Sequence, residues 1–282
     1  MRKIKSLILG WIYRLGVHLS PHLAVYVVNR TLPLGRPVLD YLEFHVADHC
    51  NLNCAGCLHY APLAPKRLAS LETVSRDFQR LGTLFSNIRH IRIMGGEPLL
   101  HPNLVAFARV ARQTFPRSRI RIVTNGLALP TFTGLPELSA LKVGIDWTKY
   151  PPTAALEKTI RDLCAAAGVN LRVTESLSFM ARLRPQGFIC ARHSFAWCRT
   201  RMYCPILDEG RIAVCAPARY ADSYNRRAGS RIPVDLGIDI HTSDAHSILR
   251  YLMQPVAACT YCSADARTFP WKRCEGVEDW LR

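Results

Sequence analysis

Two hydrophobic rhythms take turns along the middle of this chain. From Tyr41 to Asp48, the apolar residues Leu42, Phe44 and Val46 alternate with Glu43 and His45, the period-two signature of a strand. Between Leu71 and Phe85, apolar positions fall at Leu71, Val74, Phe78, Leu81 and Leu84, the three-to-four spacing of an amphipathic helix. His90–Met94 predicts a second strand, and Leu104, Phe107, Val110 and Ala111 mark a second helix. Arg119–Thr124 predicts a third strand, ended by Asn125-Gly126, and Leu141–Asp146 a fourth. A helix over Ala155–Ala167 and a strand over Asn170–Thr174 complete the series.

Strands alternating with helices imply α/β architecture on a parallel sheet. Five such steps over residues 41–180 suit an open sheet or partial barrel, since a closed eightfold barrel needs ~250 residues. The apolar strand faces should pack under the helices. The opposite faces carry Glu43, His45, Arg92, Arg121, Lys142, Asp146 and Arg172. Charges turned into a closed core cost several kcal/mol each unless paired. These predict either an open, basic cavity that draws an anion or ion pairs made with Glu43 and Asp146. Near residue 180 the helical periodicity fades and cysteines become frequent, which places a boundary there.

Composition changes little of this picture. With 282 residues, 49% hydrophobic and 21% charged, the chain can bury a sizeable core. The formal charge of +16 points to an anionic partner: nucleic acid, a membrane or a phosphorylated substrate. At the N-terminus, basic residues precede Leu7-Ile8-Leu9 and Trp11-Ile12, but Arg14 interrupts the run far short of the roughly 20 residues of a membrane span. A helix packed on the core or an interfacial one fits Met1–Ile12, with Pro33 and Pro37 as connector.

The chemistry is carried by cysteine. His49-Cys50-Asn51-Leu52-Asn53-Cys54-Ala55-Gly56-Cys57 follows the first strand as C-x3-C-x2-C. Thiolates suit iron–sulfur clusters or zinc, and three rather than four leave a coordination position open. Gly95-Gly96-Glu97-Pro98 ends the second strand, where parallel sheets bind ligands. Its glycines permit close approach and its carboxylate can accept from an ammonium. Thr124-Asn125 ends the third strand, and Gly144 with Asp146 ends the predicted fourth. Further on, Cys204 to Cys215 predicts a hairpin turning at Gly210, with Cys198 upstream and a Cys259-x2-Cys262 pair beyond. Cys164 falls on an apolar helix face as core, and Cys190 and Cys274 have no partner readable from sequence. His59 and Tyr60 follow the cysteine loop, where they either line a site or pack.

The triplet, the GGEP stretch and their order resemble the radical S-adenosylmethionine (SAM) superfamily, with Gly56 where many members carry an aromatic residue. The resemblance implies a partial (β/α)6 barrel whose sixth strand the sequence does not locate. It also implies a [4Fe–4S] cluster on Cys50, Cys54 and Cys57 whose open iron SAM chelates. Electron transfer to SAM then gives a 5′-deoxyadenosyl radical. Gly95, Gly96, Glu97 and Pro98 would hold the SAM amino group, Thr124 and Asn125 its ribose, and Gly144 and Asp146 its adenosine side. The later cysteines resemble the auxiliary-cluster domain called twitch, a shortened SPASM domain. That implies a second [4Fe–4S] cluster on Cys204, Cys215, Cys259 and Cys262, with Cys198 as rival to Cys204; four thiolates suit zinc equally well. The organisation expected is residues 1–38 as N-terminal helix and connector, 39–182 as partial barrel and 183–282 as the auxiliary domain.

Short twitch-bearing members resemble enzymes that oxidise or epimerise carbohydrates. An anionic sugar or nucleotide-sugar substrate is therefore expected, with a low-potential donor such as flavodoxin or ferredoxin and a cytoplasmic location. A peptide-modifying enzyme is the alternative. A metal-stabilised nucleic-acid-binding module would leave GGEP and the open-site triplet unexplained.

Overall fold

The computed structural model describes residues 35–187, 190–201 and 203–281. Met1–Ile12 and the connector at Pro33 lie outside the described residues. The strand–helix series runs β1 (Val38–Ala47), α1 (Leu71–Leu84), β2 (Asn87–Gly95), α2 (Leu104–Thr114) and β3 (Arg119–Thr124). It continues with α3 (Leu135–Ala140), β4 (Gly144–Lys149), α4 (Glu157–Ala166) and β5 (Leu171–Glu175). The five strands lie in the order β5-β4-β3-β2-β1, each parallel to its neighbour. This is an α/β fold on an open, partial-barrel sheet.

Local chemistry explains the element ends. Ser70 caps α1, its side chain accepting from the Thr73 amide at 3.3 Å, with Glu72 in the positive first turn. The fourth strand starts later than the pattern predicts. Leu141 caps α3 and Lys142 turns the chain at φ 53°, so β4 begins at Gly144 and ends at Lys149. Lys142 is consequently an exposed turn residue, and Gly144 opens the strand instead of ending it.

The expected faces do meet the helices. Leu42, Phe44, Val46, Ile91, Ile93, Ile120, Ile122, Val143 and Ile145 join one core with Phe78 and Leu81 of α1, Phe107 of α2 and Ile160 of α4. Phe44 meets Phe78 edge-on at 5.1 Å. Each such side chain contributes roughly 1.5–3 kcal/mol on burial. On the inner face, Asp146 is bonded by Arg121 and Arg172 and lies 3.2 Å from Arg92 Nη2. The structure therefore contains the ion pairs, and three guanidiniums against one carboxylate still leave two positive charges there. Tyr41 donates to Glu43 at 2.5 Å, and burial raises the Glu43 pKa.

Beyond β5 the chain is more regular than its fading periodicity predicts. Here lie β6 (Ser178–Leu183), α5 (Ala191–Arg201), the hairpin β7 (Ile206–Asp208) and β8 (Arg211–Ala213), then α6 (Ala216–Arg219) and α7 (Ala221–Ala228). The series ends with β9 (Ile238–Asp239), α8 (Ala245–Tyr251) and β10 (Cys262–Pro270). The helices are short and bury small residues such as Ala216, Ala221 and Ala245, which leaves a weak hydrophobic signature. The hairpin turns through Glu209 (φ 49°) and Gly210 (φ 74°), positive at both central positions as a type I′ turn requires. Its strand β7 pairs parallel with β1 and supplies the sixth parallel strand of the sheet, while β6 pairs antiparallel with β10. Among the described residues, no helix is long and apolar enough to cross a membrane.

Candidate active site

The cysteine loop leaves the end of β1 and is clamped by the end of β2. The Gly96 amide donates to the Ala47 carbonyl at 2.7 Å, and the Glu97 amide to that of His49 at 3.0 Å. Gly95 sits at φ 145°, and a Cβ at either glycine would overlap the carbonyl of Ala47 or His49. Both positions therefore exclude any side chain. Pro98 starts the 3-10 turn that follows, with Glu97 as its cap.

Glu97 is fully buried, yet both carboxylate oxygens are satisfied. Oε1 accepts from the Thr124 hydroxyl at 2.7 Å and the Leu99 amide at 3.0 Å, and Oε2 from the Asn125 amide at 2.8 Å. Burial pushes its pKa up to about 7, and these donors pull it back only in part. Asn125 in turn donates to Asn51 at 2.8 Å and approaches Cys50 Sγ at 3.5 Å, while Trp147 fixes its carbonyl at 3.0 Å. The ends of β2 and β3 and the cysteine loop thus form one hydrogen-bonded unit.

That unit lines a cavity of about 210 Å³ holding Cys50, Cys54, Cys57, Gly95, Gly96, Thr124 and Asn125. Thr148, Tyr150 and Phe179 complete the wall. Sequence reading missed Thr148 and Tyr150 because it placed the end of β4 too early, and Phe179 because it comes from β6, beyond the strand–helix series. Gly144 and Asp146 lie elsewhere. Gly144, at the start of β4, lines a separate surface pocket with Arg119 and Lys142, and Asp146 is occupied by its arginines.

Burial pushes the Cys50 thiol up to about 11 and the Cys54 thiol up to about 12. N–H groups nevertheless point at the sulfurs: Leu52 N at 3.4 Å from Cys50 Sγ and Trp271 Nε1 at 3.1 Å from Cys54 Sγ. Such donors are what metal-bound thiolates require. The donor set therefore fits a cluster held by Cys50, Cys54 and Cys57.

A second cavity, of about 170 Å³, is lined by Cys198, Cys204, Cys215, Cys259 and Cys262. Cys204 and Cys215 face each other across a bridge at the mouth of the hairpin. Arg182, only 5% exposed, and Glu43 also line it. His59 lines both cavities, and its Nδ1 lies 2.8 Å from His45 Nε2. Tyr60 instead packs with Tyr224 and Trp280. Cys164 is buried in the main core, Cys190 is exposed, and Cys274 packs beside Cys57. Among the described residues, no three His, Cys, Asp or Glu side chains converge closely enough to hold a single metal ion.

Residues 45–173, from β1 to β5, match the Radical SAM superfamily. This stretch of the chain is a radical SAM domain, and that superfamily uses a [4Fe–4S] cluster and SAM. When bound, that pair supplies a primary carbon radical able to abstract hydrogen. Among curated relatives, GTP 3′,8-cyclase of Chlorobaculum tepidum is 40% identical over 96 residues, covering 34% of this chain and 28% of its own length. The same enzyme of Heliobacterium modesticaldum is 36% identical over 112 residues, 38% of this chain and 32% of its own. Molybdenum cofactor biosynthesis protein 1 of Bos taurus is 34% identical over 137 residues, 45% of this chain and 21% of its own. The chain thus matches only about a third, or less, of the length of these relatives. Of solved structures, BtrN in complex with AdoMet and 2-DOIA is similar at TM-score 0.48 and 18% identity, covering 81% of this chain and 94% of that one.

Proposed function

We propose that this radical SAM protein is an enzyme with a second, auxiliary [4Fe–4S] cluster, acting on a small phosphate-bearing substrate. The single observation carrying this reading is the pair of adjoining cavities, one with three cysteines and one with five, sharing His59 in their walls. An auxiliary cluster with no open iron takes four cysteines. Cys262 feels Cys198 and Cys259, and Cys215 feels Cys204, Cys262 and Cys198, whereas Cys204 also reaches toward Tyr41 in the barrel. Cys215, Cys259 and Cys262 are thus proposed as three of the ligands, with Cys198 and Cys204, which line the same cavity, as rivals for the fourth.

Behind the wall of the first cavity, Glu97 Oε2 accepts one bond and keeps a lone pair for the SAM ammonium, Gly95 and Gly96 let the backbone approach it, and Asn125 orders the cysteine loop. The excess positive charge at Arg92, Arg121 and Arg172 favours an anionic substrate. The reaction proposed is hydrogen abstraction from a carbohydrate or nucleotide sugar, ending in oxidation or epimerisation. The relatives' names make GTP the second candidate, and the shared chemistry is a phosphorylated nucleoside or sugar. An external one-electron donor such as flavodoxin or ferredoxin and a reducing, cytoplasmic setting go with this reading, because cluster potentials extend to roughly −700 mV.

The test is anaerobic incubation of reconstituted protein with SAM and dithionite, in parallel with GTP and with nucleotide sugars. Substrate-dependent 5′-deoxyadenosine in a nucleotide-sugar arm, with a product two hydrogens lighter or of equal mass, supports oxidation or epimerisation respectively. Turnover with GTP alone replaces the sugar reading. Turnover in no arm, with clusters intact, rejects this substrate class.

A further inference from the structure

The segment following β10 forms a strap across the back of the cysteine loop, over two hundred residues away in sequence. The Ala55 amide donates to the Lys272 carbonyl at 3.0 Å, and the Cys274 amide to that of Asn53 at 2.8 Å. Trp280 Nε1 donates to the Cys57 carbonyl at 2.8 Å. Gly56, at φ 65°, lies under the Phe269 ring, which a Cβ would meet at 2.8 Å. The absence of a side chain at Gly56 is thus matched by an aromatic ring supplied from β10. Lys272 pairs with Asp279 at 2.5 Å, and Asp279 accepts from the Glu275 amide at 2.8 Å, closing the strap on itself.

Within this strap, Trp271 is held from two sides. Its backbone amide donates to the Leu177 carbonyl at 2.8 Å, and its indole N–H points at Cys54 Sγ at 3.1 Å. Sulfur hydrogen bonds to N–H donors normally run longer than those to oxygen, so this contact is close. Cys54 is the buried residue of the triplet, 7% exposed where Cys50 and Cys57 are half-buried, so water competes little for it.

We propose that Trp271 is a tuning residue for the SAM-binding cluster: its indole N–H stabilises the negative charge on the Cys54 thiolate and so raises the cluster's reduction potential. The physical basis is differential. Reduction adds a negative charge spread over iron and sulfur, and a fixed donor dipole aimed at a ligand sulfur favours the more negative state. The strap fixes the backbone from which the indole projects, because the Trp271 amide is bonded to the β5–β6 connection, and the Nε1–Sγ contact sets the ring's direction. The strap also joins the two sites physically. β10 begins at Cys262, which lines the second cavity, and is followed directly by Trp271, whose indole meets Cys54 of the first.

The experiment is an EPR-monitored redox titration of reconstituted protein without SAM, in a Cys259→Ala/Cys262→Ala background that leaves the triplet as the remaining cluster site. At the poise where half the parent's clusters are reduced, Trp271→Phe should lower the reduced-to-oxidised ratio about threefold, equivalent to ~30 mV for one electron. Trp280→Phe removes a donor to a carbonyl, not to sulfur, and should leave the ratio unchanged. An unchanged ratio in Trp271→Phe with full iron content overturns the inference alone. A parent protein that binds no cluster at the triplet overturns the assignment of Cys50, Cys54 and Cys57 instead. Should Trp271→Phe load iron poorly, protein labelled with ¹⁵N at the tryptophan indoles supplies the second readout. Pulsed EPR of its reduced cluster should show a ¹⁵N coupling that persists in Trp280→Phe, and absence of that coupling overturns the proposal.

Discussion

Replacing Glu97 by Gln tests the SAM-binding end of the site with little change in shape. The carboxylate accepts three hydrogen bonds, two on Oε1 and one on Oε2. In Glu97→Gln one of those oxygens becomes an NH2 group. If it takes the Oε2 position, it faces the Asn125 amide, donor against donor. If it takes the Oε1 position, it faces both the Leu99 amide and the Thr124 hydroxyl, and that hydroxyl already accepts from the Gly126 amide at 3.0 Å. The less costly choice leaves one buried donor unsatisfied, roughly 1–3 kcal/mol of stability. Losing the charge-assisted bond to the SAM ammonium costs about 1.5–3 kcal/mol more, which weakens SAM binding roughly 10- to 150-fold. A pH series adds an independent signature. Burial holds the Glu97 pKa at about 7, above its unfolded value of 4.5, so the apoprotein's contribution from this group is full below 4.5 and falls as pH rises through 7. The loss approaches about 3 kcal/mol at high pH. SAM binding runs the opposite way, tightening as the carboxylate ionises through pH 7, and Glu97→Gln should flatten both slopes. The assays are anaerobic equilibrium dialysis of SAM and thermal melts of the apoprotein. A SAM Kd within threefold of wild type in a variant with full iron content would refute the reasoning.

Other consequences are as direct. Gly96→Ala drives a Cβ into the His49 carbonyl; cluster loading at the triplet should fall by more than half, read as iron per chain, while the second cavity's cysteines keep theirs. Either Cys198→Ala or Cys204→Ala, but not both, should abolish the auxiliary cluster's EPR signal; loss in both or in neither would contradict a four-cysteine cluster with one of them as its fourth ligand. Phe78→Ala removes a fully buried ring from between the sheet and α1, and chemical denaturation should show a loss of about 3–5 kcal/mol.

Much of this site can be read from the chain because its parts are local. The spacing C-x3-C-x2-C, the two glycines before Glu97 and the Thr124-Asn125 strand end each act within a few residues of their own strand. Alternation along β1, β2, β3 and β5 likewise exposes their inner and outer faces. What escapes a linear reading is set by tertiary pairing or by backbone torsion. The single positive φ at Lys142 shifts the start of β4 by three residues, which moves Asp146 away from the strand's end and brings Thr148 and Tyr150 to the cavity. The three-residue strand β7 is too short to announce that it pairs with β1. The Trp271 contact to Cys54 spans 217 residues, and no periodicity encodes it. The choice between Cys198 and Cys204 is similarly spatial, since both spacings to Gly210 are compatible with a hairpin.

The central claim is that this chain holds two [4Fe–4S] clusters, one on the triplet after β1 and one among the cysteines around the β7–β8 hairpin. Metal and sulfide analysis of anaerobically reconstituted protein, combined with ligand removal, tests it most directly. About eight irons per chain are expected, with about four remaining in Cys50→Ala/Cys54→Ala/Cys57→Ala and about four in Cys215→Ala/Cys259→Ala/Cys262→Ala. A wild-type count of about four irons, or zinc bound at the hairpin cysteines, would contradict it.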